Sequence, residues 1–308
     1  MQIVLGILNS LPGAVAQGLI WGIMAIGVYI TYRILDIADL TVDGSMCTGG
    51  AVCVVMMMNG YSAGVAMIAA VVAGMLTGLI TGILHTFMGI PAILAGILTQ
   101  LALYSVNLKI MGKANQALSY RNYDLAVSLQ YIRDKFIFKN SIFVISIFVI
   151  AIVCALYWFF GTEYGCSMRA TGSNQNMSRA QGINTNFNVV TALMLSNGIV
   201  AFSGALLAQY QGFADVQMGR GAIVIGLAAV IIGTALFGKI FKNFGLRLLG
   251  VALGGVVYYI VYQTVICLGL DPDLLKLLSS VVVAIFLAVP YWKGKYFTKV
   301  KKGVKENA

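Results

Sequence analysis

Charge is what this 308-residue sequence has least of: only 10% of its residues are Asp, Glu, Lys or Arg, against about a quarter in an ordinary globular chain. A water-facing surface needs more, so a soluble enzyme or a soluble binding module is not the expectation. Histidine is almost missing too. His85 is the one copy, so a Ser-His-Asp triad would have to recruit it, and there is no HExxH pattern for a catalytic zinc. The five cysteines, Cys47, Cys53, Cys154, Cys166 and Cys267, form no CxxC pair, which reads as small packed thiols and not as redox or metal chemistry. No cofactor is implied. No stretch is rich enough in Pro, Ser or Gly to be a flexible linker, and no sequence repeat stands out. The net charge of +10 resides in short hydrophilic gaps and in the tail 293–305. It lacks the interleaved base-stacking aromatics of a nucleic-acid binder, so nucleic acid is excluded as a partner and the basic residues read as topology signals near anionic lipid.

What is present is apolar. Hydrophobic residues make up 60% of the chain and fall in blocks such as 142–160 and 274–292, each close to the roughly 20 residues a membrane helix needs. Nine segments are expected, centred near Ala25, Val54, Ala73, Gly96, Phe148, Val200, Val230, Val256 and Ala284. The fold class is therefore an all-α integral membrane protein, a polytopic helical bundle of about nine (8–10) transmembrane helices with a broken or re-entrant second segment. Residues 1–292 form one transmembrane domain and 293–308 a basic cytoplasmic tail. The first Lys or Arg is Arg33, so the start lacks the charged region of a cleaved signal peptide, and Pro12 is expected to open the first helix.

Lys and Arg resist translocation, so the tail fixes one end in the cytoplasm. Counting back places Lys239, Lys242, Arg247, Arg169 and Arg179 inside and the N-terminus outside. The stretch 112–140 then falls outside although it carries Lys113, Arg121, Arg133, Lys135 and Lys139; a missed or re-entrant segment would reconcile this. Its Tyr120, Tyr123, Tyr131 and Phe136, mixed with both charge signs, suit a wet protein interface or equally a solvated loop. Gly74, Gly78 and Gly82 repeat at spacing four, as do Gly18 with Gly22 and Gly250 with Gly254, which lets helix backbones approach closely in lipid.

Three polar features carry the functional question. GTALFGKI at 233–240 nearly matches the phosphate loop GxxxxGK[ST], but Ile240 replaces the hydroxyl that would hold magnesium and the stretch ends a membrane helix. Any ATP is then hydrolysed by another chain. RILDIADLTVDG at 33–44 puts Asp36, Asp39 and Asp43 between two apolar blocks. A charge at a membrane helix centre costs about 2.5–3.5 kcal/mol on insertion scales, so these side chains either cap helices in a short cytoplasmic loop or belong to an unwound segment lining a path. The stretch 163–186, with Arg169 and Arg179, reads either as a long loop or as a surface helix offering a docking face to acidic partner groups. Its Asn176-Met177-Ser178 glycosylation triplet is discounted on the cytoplasmic side.

RILDIADLTVDGS at 33–45, GIPAILAGILTQLALYSVNLKIMG at 89–112, RATGSNQNMSRAQGIN at 169–184 and LSNGIVAFSGALLAQYQGFADVQMGRGAIVIGLAAVIIG at 195–233 resemble permease subunits of bacterial binding-protein-dependent ABC importers. The likeness is to the branched-chain amino acid and ribose permease superfamily, within it the tryptophan or tyrosine uptake branch, and spans nearly the whole chain. It implies a bacterial plasma-membrane location, two permease copies side by side, a cytoplasmic ABC ATPase dimer and an extracytoplasmic substrate-binding protein. It implies no enzymatic activity in this subunit. It further implies that 169–183 holds the helix that couples to the ATPase, through Arg169, Ala170, Gly172, Ser173, Asn174, Arg179, Ala180, Gly182 and Ile183. Helices around 41–46 would border the path, which favours Asp36, Asp39, Thr41, Asp43, Gly44 and Ser45 as path residues. Arg220 departs from the small or apolar residue expected after QMG. Two rivals stand beside this reading: an ion-coupled secondary carrier using Asp36, Asp39 or Asp43, and an intramembrane enzyme, for which little chemistry is available.

Overall fold

The computed structural model describes residues 2–119, 123–133, 140–238 and 240–267, with isolated positions between 277 and 288. Among them ten α-helices follow one another: α1 (Gln2–Tyr29), α2 (Val42–Met58), α3 (Ala63–Thr86), α4 (Ala92–Met111), α5 (Ser141–Gly161), α6 (Glu163–Ser173), α7 (Gln175–Ala180), α8 (Thr185–Gln211), α9 (Ala222–Phe237) and α10 (Phe244–Cys267). Six are long and apolar enough to cross a membrane, namely α3, α4, α5, α8, α10 and the stretch Ser10–Ile34, in which α1 runs on through a π-helical turn, Ile30–Ile34.

Eight of the nine expected centres lie on helices, but α2 and α9 are short, at 17 and 16 residues. At about 1.5 Å per residue each reaches roughly 25 Å, less than the about 30 Å of a bilayer core. The ninth expected segment, around Ala284, the tail 293–308, Lys239, and Tyr120, Arg121, Lys135, Phe136 and Lys139 of the 112–140 stretch lie outside the described residues, isolated positions such as Ala284 itself apart. Pro12 does not open the first helix; α1 starts at Gln2 and holds Pro12 inside it, an arrangement membrane helices tolerate because neighbouring groups re-satisfy the freed carbonyl.

Small residues set the helix directions. Gly13, Ile20 and Gly27 of α1 accept hydrogen bonds on their carbonyls from Tyr210, Ser203 and Ser196 of α8, so these helices are antiparallel. A side chain at Gly18 or Gly22 would strike Val256 or Ala252 of α10 at 2.7 Å. One at Gly78 would strike Leu193 of α8, and one at Gly82 would meet Val190 at 3.0 Å. The glycine stripes read from the sequence are thus three antiparallel seams: α1 on α10, α3 on α8 and, through Gly250 and Gly254, α10 on α9. Gly233 of the apparent phosphate loop also serves packing, since its missing side chain admits the Gly250 backbone.

These contacts reveal an inverted repeat that the sequence did not display. In the first half, α1 reaches one end of the bundle, a non-helical leg (residues 35–41) turns back inward, and α2 starts inside the bundle and runs to the opposite end, where α3 begins its return. In the second half, α8 reaches that opposite end, residues 212–221 turn inward, and α9 starts inside and runs back, followed by α10. The bonds Ser45–Asn197 and Cys53–Gln209 fix α2 parallel to α8. The approaches of Gly254 to Ala229 and of Gly233 to Gly250 fix α9 antiparallel to α10, hence parallel to α1. Where described, the stretch 112–140 is no extra span. Its β1 (Asn115–Ala117) pairs antiparallel with β2 (Phe213–Asp215), Asn115 opposite Asp215, and Leu118, Leu125 and Val127 are buried.

Candidate functional site

The N-termini of the two short helices meet inside the bundle. Each helix start carries about half a positive charge, and two of them facing each other away from water require acceptors. Asp43, in the first turn of α2, supplies them for α9: its Oδ2 accepts from the Gly221 N–H at 2.9 Å and its Oδ1 from the Ile223 N–H at 3.0 Å. Asp39 serves α2. Its Oδ1 accepts from the Thr41 N–H at 2.9 Å and its Oδ2 from Asn197 Nδ2 of α8 at 2.7 Å.

Asn197 extends this into a buried polar chain. Ser45 Oγ lies 2.5 Å from Asn197 Oδ1 and 2.9 Å from Thr77 Oγ1. The Thr41 and Thr81 hydroxyls bond to each other at 2.7 Å, and Thr81 donates to Thr99 of α4 at 2.9 Å. Four helix elements are thereby tied at one level, in surroundings where an unmade hydrogen bond is costly. Gly44 lets α4 approach, since a side chain there would meet Leu103 at 2.8 Å.

The leg 35–41 feeds this junction. Leu35, Ile37, Asp39 and Thr41 are buried while Asp36 and Ala38 are exposed, the alternation of extended backbone. It leaves the π-turn through Asp36, at φ 56° the one described non-glycine residue with positive φ, a conformation Asp tolerates better than most residues. Of the six residues expected along a path, Asp39, Thr41, Gly44 and Ser45 are enclosed, Asp36 is exposed and Asp43 is half-buried beside a cavity. The carboxylates of Asp39 and Asp43 cap helix starts inside the bundle, and the segment that holds Asp36 and Asp39 is unwound.

The 163–186 stretch folds into α6 and α7, with a break at Asn174, whose side chain caps α7 by accepting from the Met177 N–H at 3.0 Å. Asn188 of α8 donates to Ser167 and Thr171 of α6 at 3.1 and 2.9 Å, and Tyr164 bonds Thr191. Gly172 abuts the Ile34 carbonyl at the end of the π-turn, so α6 rests directly on the start of the leg. Ser173, Asn174, Ala180 and Gly182 are exposed and Ala170 and Ile183 half-buried. Arg169 is exposed, its guanidinium 5.9 Å from the Phe244 ring centre, and Arg179 donates to Thr185 at 2.8 Å.

Residues 10–289 match the family model described as the branched-chain amino acid transport system permease component. The chain belongs to this permease family. It is 37% identical over 281 residues to a tyrosine transport system permease protein of Clostridioides difficile, covering 91% of each chain. It is 34% identical over 283 residues to an uncharacterized protein of Rickettsia prowazekii, covering 91% of this chain and 98% of that one. A fructose import permease of Rhizobium meliloti is 24% identical over 54% of this chain and 46% of its own length. The permease is accordingly a multi-pass membrane protein of the ABC importer class.

Sequence reading missed the partners that give the Asp cluster its geometry. Asn197, Thr77, Thr81 and Thr99 sit on three other helices, and the α9 start lies 178 residues from Asp43. Replacing Asp43 by alanine strips the α9 N-terminus of both side-chain acceptors, a cost of about 1–3 kcal/mol per group left unmade. The thermal midpoint of the purified permease is expected to fall for Asp43→Ala, and by about half as much for Asp43→Asn, which keeps one acceptor. An unchanged midpoint in both would show that water replaces the cap.

Proposed function

We propose that this permease forms the translocation path of an ABC importer for an aromatic-type amino acid and is driven by a separate cytoplasmic ATPase dimer. The observation that carries the cargo assignment is the 37% identity, over 91% of both chains, to a protein named for tyrosine transport. A second copy of the chain completes the path, and an extracytoplasmic binding protein delivers the substrate. Arg33, Arg169, Arg179, Lys242 and Arg247 share the end that carries α6 and α7, while the sequence between α4 and α5 carries Lys113, Arg121, Arg133, Lys135 and Lys139, so charge alone does not orient the chain. The α6–α7 end is assigned to the cytoplasm because its 169–183 surface is the proposed ATPase contact, with the tail 293–308 on the same side.

The permease performs no covalent chemistry. In the proposed cycle α7 and the 169–183 surface sit in the ATPase, and closure of the ATPase dimer moves α6. Because Gly172 lies against Ile34, that movement reaches the π-turn, then the leg with Asp36, then the Asp39–Asn197 junction, where Thr41, Gly44 and Ser45 open the first turns of α2. Asp43 passes it on to α9. Opposite half-helices rocking about one level is the geometry of alternating access. For the secondary-carrier alternative, the carboxylates of Asp39 and Asp43 already accept from protein donors, which leaves Asp36, exposed at the start of the leg, as the carboxylate it would rest on.

The test is purification of the tagged chain from its native membrane in mild detergent, followed by uptake into proteoliposomes. An ABC ATPase and a binding protein are expected to co-purify, and labelled tyrosine to enter only with ATP. A partner-free chain that moves tyrosine down an ion gradient would overturn the assignment.

A further inference from the structure

A cavity of about 260 Å³ opens beside the half-helix junction, between α2, α4 and the loop that precedes α9. It extends from Asp43 and Gln100 to Asn107, and so from the junction toward the end opposite α6 and α7. Two of its lining side chains make no hydrogen bond among the described residues. Asn107 is 1% exposed, yet neither its amide nitrogen nor its carbonyl oxygen has a hydrogen-bond partner. A buried primary amide offers two donors and an acceptor, and leaving all of them unmade within a helical bundle is costly. Arg220 is the second. Its guanidinium makes no hydrogen bond or ion pair among the described residues, and it lines both this cavity and a second one bounded by Trp21, Tyr258 and Tyr259. Its side chain is exposed and close enough to act electrostatically on the Asp43 carboxylate, and with no hydrogen bond holding it there it can also meet an anionic group in the cavity.

We propose that this cavity is a cargo subsite that holds a free α-amino acid by its carboxylate and ammonium groups. The inference rests on the reading of the chain as an amino-acid permease and adds to it the residues that grip the head group. Arg220 takes the carboxylate in a charge-assisted contact, joined by the Asn107 amide N–H. The carbonyl oxygens of Asn107 and Gln100 take the ammonium. Tyr104, Leu101 and Val216 leave an apolar and aromatic wall for the side chain. The volume lies near the lower end of small-molecule sites, about 300 Å³, which suits a single amino acid. The position of Arg220, where a small or apolar residue is expected from the family resemblance, then has a function: it gives this permease a fixed positive charge next to the junction that moves.

The experiment uses the permease with its ATPase and binding protein in proteoliposomes, labelled tyrosine as probe, and three readouts: maximal uptake rate, the half-saturating concentration of loaded binding protein, and binding-protein-stimulated ATP hydrolysis. Arg220→Gln is expected to lower the maximal rate about tenfold, the order of one charge-assisted contact, with the half-saturating concentration and the hydrolysis unchanged. Arg220→Lys restores part of the rate. Asn107→Leu lowers the rate without lowering the thermal midpoint, because the amide it removes supports no protein contact. Wild-type rates in both Arg220→Gln and Asn107→Leu would overturn the subsite. So would a shifted half-saturating concentration, which would make Arg220 a contact for the binding protein. Wild-type complex that hydrolyses ATP on loading but imports a sugar and no amino acid would overturn the cargo reading itself, and the subsite with it.

Discussion

Replacing Gly49 by valine is expected to abolish recovery of folded permease. Gly49 lies at the crossing of α2 with α8, where an added Cβ would fall 2.6 Å from the Ala201 Cα and closer still to its carbonyl group. Gly204 meets the Met46 backbone in the same way from the other side. Overpacking against side chains costs about 1–3 kcal/mol, but here the obstructing atoms are backbone, and a side-chain rotation cannot clear them. The helices must separate, and with them the bonds from Ser45 to Asn197 and from Cys53 to Gln209 that hold α2 in register. Gly64→Ala is the matched control, since no atom lies within 4 Å of the position and alanine is the better helix former by about 1 kcal/mol. Size-exclusion profiles in detergent are expected to show a monodisperse peak for Gly64→Ala and aggregate for Gly49→Val. A monodisperse Gly49→Val protein with a wild-type midpoint would mean that α2 and α8 do not touch along this line.

Much of this architecture was legible in the sequence because lipid makes local demands. An apolar run of membrane length, a glycine every fourth residue and a cluster of carboxylates between two runs each carry their meaning within a few residues, so helices α3, α5, α8 and α10 and the importance of 33–45 could be read directly. The shortness of α2 could not. The leg that precedes it contains Leu35, Ile37, Ala38 and Leu40, and hydropathy does not distinguish an extended apolar leg from another turn of helix. The inverted repeat was hidden for a related reason: packing in lipid asks only for small and apolar residues, so two halves can share a fold without sharing a sequence. At the candidate site the Asp cluster was visible, but its role was divided between capping and path lining because the partners lie far along the chain, Asn197 at 158 residues from Asp39 and Gly221 at 178 from Asp43. Asn107 gave no signal at all, since it is one of several polar residues on α4 beside Thr99, Gln100, Ser105 and Lys109, and only its lack of a partner in the folded chain singles it out.

Introducing tryptophan at Ala180 is expected to uncouple the permease from its ATPase while leaving the membrane bundle intact. Ala180 ends α7 and is exposed, as are Gln175, Asn176, Met177 and Arg179 of the same helix, so a large side chain there enters solvent in the isolated chain and changes stability by no more than about 0.5 kcal/mol. The same side chain in a close-packed protein groove has no room, because interfaces that transmit force are packed as densely as interiors. Uptake of labelled tyrosine and binding-protein-stimulated hydrolysis should both fall to the background of the ATPase alone, with an unchanged thermal midpoint of the purified permease. The contrast with Gly172→Trp is informative. Gly172 faces the Ile34 carbonyl inside the protein, so that variant should lose both coupling and midpoint. Loss of coupling in Gly172→Trp alone, with full coupling in Ala180→Trp, would move the docking surface away from α7 and leave α6 as a strut that braces the π-turn.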